Sequence, residues 1–238
     1  MHVLAGIIPL DKPAGISSAA AVARVRRLLP RGTKIGHAGT LDPFATGVLV
    51  LLVGRATRLA ETVMSQPKQY EAQIELGATT ETLDPTSPRI VTTGAVAPSL
   101  EVVRAVVPRF VGRILQTPPA YSALKIGGHS AYKLARRGLA PRLEARPVHV
   151  YDLQILDYQW PALRIRVDCG RGTYVRCLAR DIGEALGVGG YLTALRRTRV
   201  GEFRIERAVT LERLEAEGVA AHLLPTTAVE GPGQARRR

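Results

Sequence analysis

Apolar and polar positions alternate most cleanly between residues 69 and 76. Tyr70, Ala72, Ile74 and Leu76 fall on one side, and Glu71, Gln73 and Glu75 on the other. A period of two marks a strand with one buried face. Short apolar runs at 5–10 (AGIIPL) and at Val48–Val53 predict two more strands, the first entering a turn at Asp11-Lys12-Pro13-Ala14-Gly15. Between them Val22, Val25, Leu28 and Leu29 recur at helical spacing. A helix capped by Ser17 or Ser18 should therefore run to Leu29, with Arg24, Arg26 and Arg27 opposite the apolar stripe, and Pro30 and Gly32 stopping it. Residues 32–47 read as a glycine-punctuated loop, and a second helix is expected over 56–65.

The stretch 77–98, rich in Thr, Pro, Ser and Gly, reads as a long loop of the kind that often carries function. A helix should start at Ser99 and a strand should cover Arg113–Thr117. His129–Arg137 reads as a short basic helix ended by Gly138. Val148–Tyr158 and Ala162–Asp168 form a predicted antiparallel hairpin about Trp160-Pro161. A helix over Tyr174–Leu186, a basic strand region over Leu192–Ile205 and an amphipathic helix over Thr210–Glu217 complete the pattern. Helices and strands without regular βαβα alternation predict an α+β fold on a mostly antiparallel sheet.

Composition narrows the class. A chain of 238 residues that is 46% hydrophobic is neither disordered, collagen-like nor a coiled coil. Its longest strictly apolar run, Val48–Val53, is too short to span a membrane, and no signal-peptide pattern opens the sequence. A cytoplasmic protein is expected. Charge changes the picture more: 33 Lys+Arg against 20 Asp+Glu leave +13, and only five of the basic residues are lysine. Arginine forks grip phosphates, so an anionic polymer, nucleic acid before membrane, is the favoured partner. A GC-rich genome explains arginine over lysine but not the excess of basic over acidic residues. Cys169 and Cys177 fit no ribbon or redox spacing, and the five histidines are scattered, so no metal site is expected. Neither a P-loop, a GxGxxG after a strand nor a GxSxG elbow is present, which argues against a nucleotide cofactor.

Two segments hold candidate chemistry. Gly36–Gly47 places His37 and Asp42 on a tight loop leading into the most apolar strand. Leu-Asp-Pro is also a good turn former, and the chain has a second copy at Leu83-Asp84-Pro85, for which a turn suffices. On residue chemistry alone the turn is the favoured account of Asp42 as well. In Cys169–Arg176, glycines precede a helix start bearing Tyr174 and Arg176. There a guanidinium could pair with a carboxylate, bind phosphate or simply lie exposed. Tyr70 could stack on a base or pack in the sheet.

Five blocks change the balance: DKPAGISS (Asp11–Ser18), GHAGTLDPFATGVL (Gly36–Leu49), KQYEAQIELGATTETLD (Lys68–Asp84), PPAYSALKIGG (Pro118–Gly128) and GRGTYVRCLARDIGEALG (Gly170–Gly187). In this order and spacing they resemble the TruB family of tRNA pseudouridine-55 synthases, over residues 6–210. The resemblance implies a pseudouridine synthase fold and isomerisation of uridine-55 in the TΨC loop of tRNA. It further implies base flipping, no cofactor and a monomer. By the same resemblance Asp42 is the catalytic aspartate, attacking C1′ or C6 or abstracting a sugar proton, and Arg176 is its charge partner. Tyr70 stacks on the flipped base, His37, Tyr174 and Leu195 shape the pocket, and Lys12 and Pro13 support the catalytic loop. Residues 118–146 correspond to an RNA-gripping insertion with Lys125, Lys133, Arg136 and Arg137. Arg24–Arg31 and Arg196–Arg199 are expected to add phosphate contacts. The implied organisation is a catalytic domain over 1–210 and a short helix and basic tail over 211–238, without the RNA-binding PUA barrel of many relatives.

Overall fold

In the computed structural model, which describes residues 4–122, 125–126, 129–130, 139 and 143–229, the apolar runs become strands. The chain divides into two compact units, one of residues 1–70 with 196–238, the other of residues 71–195.

In the first unit β1 (Gly6–Lys12) runs antiparallel to a later strand of residues Thr46–Val53, from Gly6 opposite Val53 to Lys12 opposite Gly47. Helix α1 (Ser18–Arg27) begins where the Ser17 hydroxyl accepts from the Ala20 amide. It buries Ala21, Val22 and Val25 and turns its arginines outward. A short strand β2 (Ile35–His37) lies within the expected 32–47 loop and pairs with Thr46–Val53, now β3. β3 is buried on both faces, Val48, Val50 and Leu52 packing with Val63 and Phe203, and Leu49, Leu51 and Val53 equally buried on the other side, which is why its sequence is continuously apolar rather than alternating. The expected 56–65 helix divides: Gly54–Leu59 is a tighter 3₁₀ segment, with the Thr57 hydroxyl bonded back to the Gly54 carbonyl, and only Ala60–Ser65 (α2) is α-helical. Ile7, Val48, Val50, Leu52, Val63, Val200 and Phe203 pack into one core cluster of this unit.

β4 (Lys68–Leu76) passes from the first unit into the second, with every even-numbered residue buried, as its alternation predicts. The long loop that follows is pinned by two short paired strands, β5 (Ala78–Thr79) and β6 (Ile90–Val91). Helix α3 (Leu100–Val106) is capped by Ser99, and β7 (Gly112–Gln116) follows it. Two-residue strands β8 (Lys125–Ile126) and β9 (His129–Ser130) pair antiparallel, so the expected helix does not begin at His129. Cross-strand pairing outweighs the helical spacing at His129 and Ser130; residues 127–128 and 131–137 lie outside the described residues. β10 (Arg146–Gln159) pairs with β7 and with β11 (Ala162–Cys169), the predicted hairpin. Helix α4 (Val175–Ala185) buries Val175, Arg176, Leu178, Ala179 and Ile182.

β12 (Gly190–Val200) returns the chain to the first unit, where Arg196 and Arg197 pair in parallel with Thr46 and Gly47. This parallel contact among antiparallel ones makes the sheet mixed. The basic strand expected over 192–205 ends earlier, turning at Gly201 into β13 (Phe203–Arg204), and α5 (Leu211–Glu217) is capped by Thr210.

Candidate active site

The Asp42 loop is held at both shoulders. Ahead of Asp42, the Ser18 hydroxyl accepts from the Leu41 amide (2.8 Å) and donates to the Leu41 carbonyl (3.0 Å). Behind it, the Pro43 carbonyl accepts from the Gly15 amide (2.8 Å) and from Lys12 Nζ (3.4 Å). Lys12 also donates to the Pro13 and Ile16 carbonyls, both at 2.8 Å. Its ammonium is wholly buried. Burial lowers its pKa to about 8, with Asp42 opposing the shift and Arg197 reinforcing it. Asp42 itself is half-exposed, and its carbonyl closes a turn with the Ala45 amide. The turn reading of Leu-Asp-Pro therefore holds for the backbone.

Arg197 completes this cradle. It was expected at the surface and is instead 1% exposed. Strand alternation carries the signal: Arg197 shares the buried side of β12 with Leu195, while Arg196 faces outward to Asp11 and Thr46. The guanidinium carbon lies 6.0 Å from the centre of the Tyr70 ring. Tyr70 is buried at the first unit's end of β4. His37 has its Nδ1 buried without a hydrogen-bond partner; burial first and Arg197 second lower its pKa, so it is a neutral imidazole at neutral pH.

In the second unit Arg176 is buried rather than exposed. Nη1 donates to the Thr82 carbonyl (2.9 Å) and lies 3.4 Å from Asp84 Oδ2, and Nη2 donates to the Tyr121 carbonyl (2.8 Å). Asp84, read from sequence as a plain turn residue, does form the turn: Oδ1 accepts from the Thr86 amide and from the Thr82 and Thr86 hydroxyls. It also faces Arg176, a partner 92 residues away that no local pattern reveals. Tyr174 is fixed through its backbone, its amide donating to Gln116 Oε1 (2.8 Å) and its carbonyl accepting from Gln116 Nε2 (3.1 Å). Leu195 is buried on β12.

Neither cysteine is in a disulfide, and burial raises the Cys177 thiol to about 12, which leaves it unreactive. Among the described residues no group of three His, Cys, Asp or Glu could hold a metal, and no helix is long and apolar enough to cross a membrane. Of the expected RNA-gripping residues, Lys133, Arg136 and Arg137 lie outside the described residues, and of Lys125 only the backbone strand is described. In the first unit Arg26, Arg27, Arg31 and Lys34 line a groove of about 830 Å³ that includes no acidic residue.

Comparison with known proteins identifies the family. Residues 26–175 match the model of the TruB family pseudouridylate synthase N-terminal domain, and residues 176–227 that of the tRNA pseudouridylate synthase B C-terminal domain. The chain is 45% identical over 233 residues to tRNA pseudouridine synthase B of Aromatoleum aromaticum, covering 97% of this chain and 75% of that protein. It is 47% identical over 214 residues to that of Cupriavidus metallidurans, covering 89% and 68%. Among solved structures, a Cbf5-Nop10-Gar1 complex contains a chain superposing with a TM-score of 0.72 at 30% identity. The match covers 96% of this chain and 62% of that one.

Proposed function

We propose that this chain, which belongs to the TruB family of pseudouridylate synthases, isomerises uridine-55 in the TΨC loop of tRNA to pseudouridine. The reaction breaks C1′–N1 and forms C1′–C5; the proton on C5 leaves and N1 gains one, so no atoms are added and no electrons transferred. Asp42 is the reacting carboxylate, whether toward C1′, toward C6 or toward a sugar proton. One observation supports this most: a half-exposed carboxylate stands on a loop whose flanking carbonyls are gripped by two wholly or nearly buried cations, Lys12 and Arg197. That is a pre-organised positive setting for a group that must stay ionised.

The target uridine is stacked in its loop and has to be extruded, at a cost of a few kcal/mol. By the family resemblance we assign Tyr70 to the flipped base, His37, Tyr174 and Leu195 to substrate binding, and Arg176 to catalysis. Arg26, Arg27, Arg31 and Lys34 offer phosphate contacts that offset extrusion. Lys125, Lys133, Arg136 and Arg137 extend them, and the chain acts as a monomer on tRNA in the cytoplasm.

Tritium release from tRNA labelled with [5-³H]uridine tests the reading, with pseudouridine mapping of the product. The expected result is one modified position in the TΨC loop with the wild-type chain and none with Asp42→Asn. Equal release by the variant sinks the role of Asp42, and modification elsewhere sinks the choice of uridine.

A further inference from the structure

Arg197 heads the fully buried side chains by size among the described residues. A guanidinium is costly to take out of water, and an apolar side chain in its place would carry no such cost. All three nitrogens are taken up by neutral carbonyls: Nε donates to Val48 (2.7 Å), Nη1 to Thr40 (3.2 Å) and Nη2 to Gly39 (3.1 Å). These acceptors lie on both sides of Asp42, two on the approach to the loop and one where it re-enters β3. The backbone of Arg197 closes the same frame. It pairs with Gly47 so tightly that a Cβ there would stand 2.2 Å from the Arg197 carbonyl oxygen. The guanidinium also lies over Tyr70 at cation–π distance.

We infer that Arg197 is a positioning residue: it locks the two arms of the Asp42 loop and the Tyr70 ring into one geometry. This rests on the reading of Asp42 as the reacting carboxylate. Only arginine suits the position, because its planar fork spans two successive carbonyls while Nε reaches a third, whereas lysine has a single nitrogen. The charge acts across the unit as well, since Arg197 contributes to the lowered pKa of both Lys12 and His37. A loop displaced by an ångström still binds RNA through its other contacts but presents the carboxylate badly.

The test separates binding from chemistry. Single-turnover pseudouridine formation and RNA affinity are measured for wild type, Arg197→Met and Arg197→Lys, with thermal unfolding to report folding. Arg197→Met is expected to slow isomerisation about 100-fold, with the dissociation constant for RNA within about threefold of wild type. Arg197→Lys, which keeps the charge and part of the grip, should recover about tenfold of the loss. A Met variant that reacts at the wild-type rate, or whose lost rate is matched by lost affinity, overturns the inference. If the Met variant does not fold, the Lys variant decides: about tenfold slower at unchanged affinity supports positioning, and a wild-type rate overturns it. A wild type that forms no pseudouridine removes the functional reading and this inference together; an active wild type with indifferent Arg197 variants removes only the inference.

Discussion

Leu-Asp-Pro occurs at 41–43 and again at 83–85, and the two loops are held in different ways. Asp84 is buried and its oxygens are engaged by its own turn and by Arg176. Asp42 is half-exposed, and its loop is held through the carbonyls of its neighbours, by Arg197 before it and Lys12 after it. One loop uses its carboxylate to hold itself together. The other is gripped through the carbonyls on either side of its aspartate by cations from other segments. A tripeptide therefore specifies a turn, and the side chains that reach it from elsewhere specify what the aspartate does.

The largest effect expected to separate the two loops is on chemistry. Asp42→Asn should lower pseudouridine formation by at least about 10⁴-fold while stability stays within about 1 kcal/mol of wild type. Tritium release and urea unfolding on the same preparations check both halves, and a large stability loss would make Asp42 a structural residue like Asp84. The mirror experiment is Asp84→Ala, which leaves Arg176 buried without that partner and should cost about 3 kcal/mol in urea unfolding. A loss under about 1 kcal/mol would mean that Arg176 is satisfied without Asp84, the carbonyls of Thr82 and Tyr121 contributing.

A third test uses pH. Lys12, with its pKa lowered to about 8, loses its charge in mildly alkaline solution. The single-turnover rate should then fall about tenfold between pH 7 and 9 as the cation beside the Asp42 loop disappears. Stability has the opposite sign: above about 8 the folded protein holds Lys12 neutral while the unfolded chain keeps it charged up to about 10.4, so the Lys12 contribution improves with rising pH in that window. A flat rate across this range would show that the Lys12 charge is irrelevant to the chemistry. The smallest effect is expected at Thr86→Val, which removes one hydroxyl bond to Asp84 and should cost about 1 kcal/mol with the rate unchanged.

Much of the architecture was legible because it depends on neighbours in sequence. Alternation in β4, the apolar runs of β1 and β3, the serine caps of α1 and α3 and the hairpin about Trp160-Pro161 all follow from residues within a few positions of one another. The blocks carrying Asp42, Tyr70 and Arg176 were legible too, through resemblance rather than spacing. Arg197 and Asp84 were not. Arg197 was grouped with a surface run of arginines because charge usually means exposure, and its acceptors at Gly39 and Thr40 lie 158 and 157 residues away. Asp84 matched a turn so well that nothing local called for a second role.

By itself, then, the sequence determined which segments are strands and helices, the net positive charge and the order of the family blocks, since periodicity, composition and motif spacing are properties of the chain read in one dimension. Only the tertiary structure decided which charges are buried and what they hold. Burying Arg176 and Arg197 is tolerable only where carbonyls or a carboxylate from distant segments converge on them, and Lys12 adds the distant Pro43 carbonyl to two from its own turn; that convergence exists only once the chain has folded.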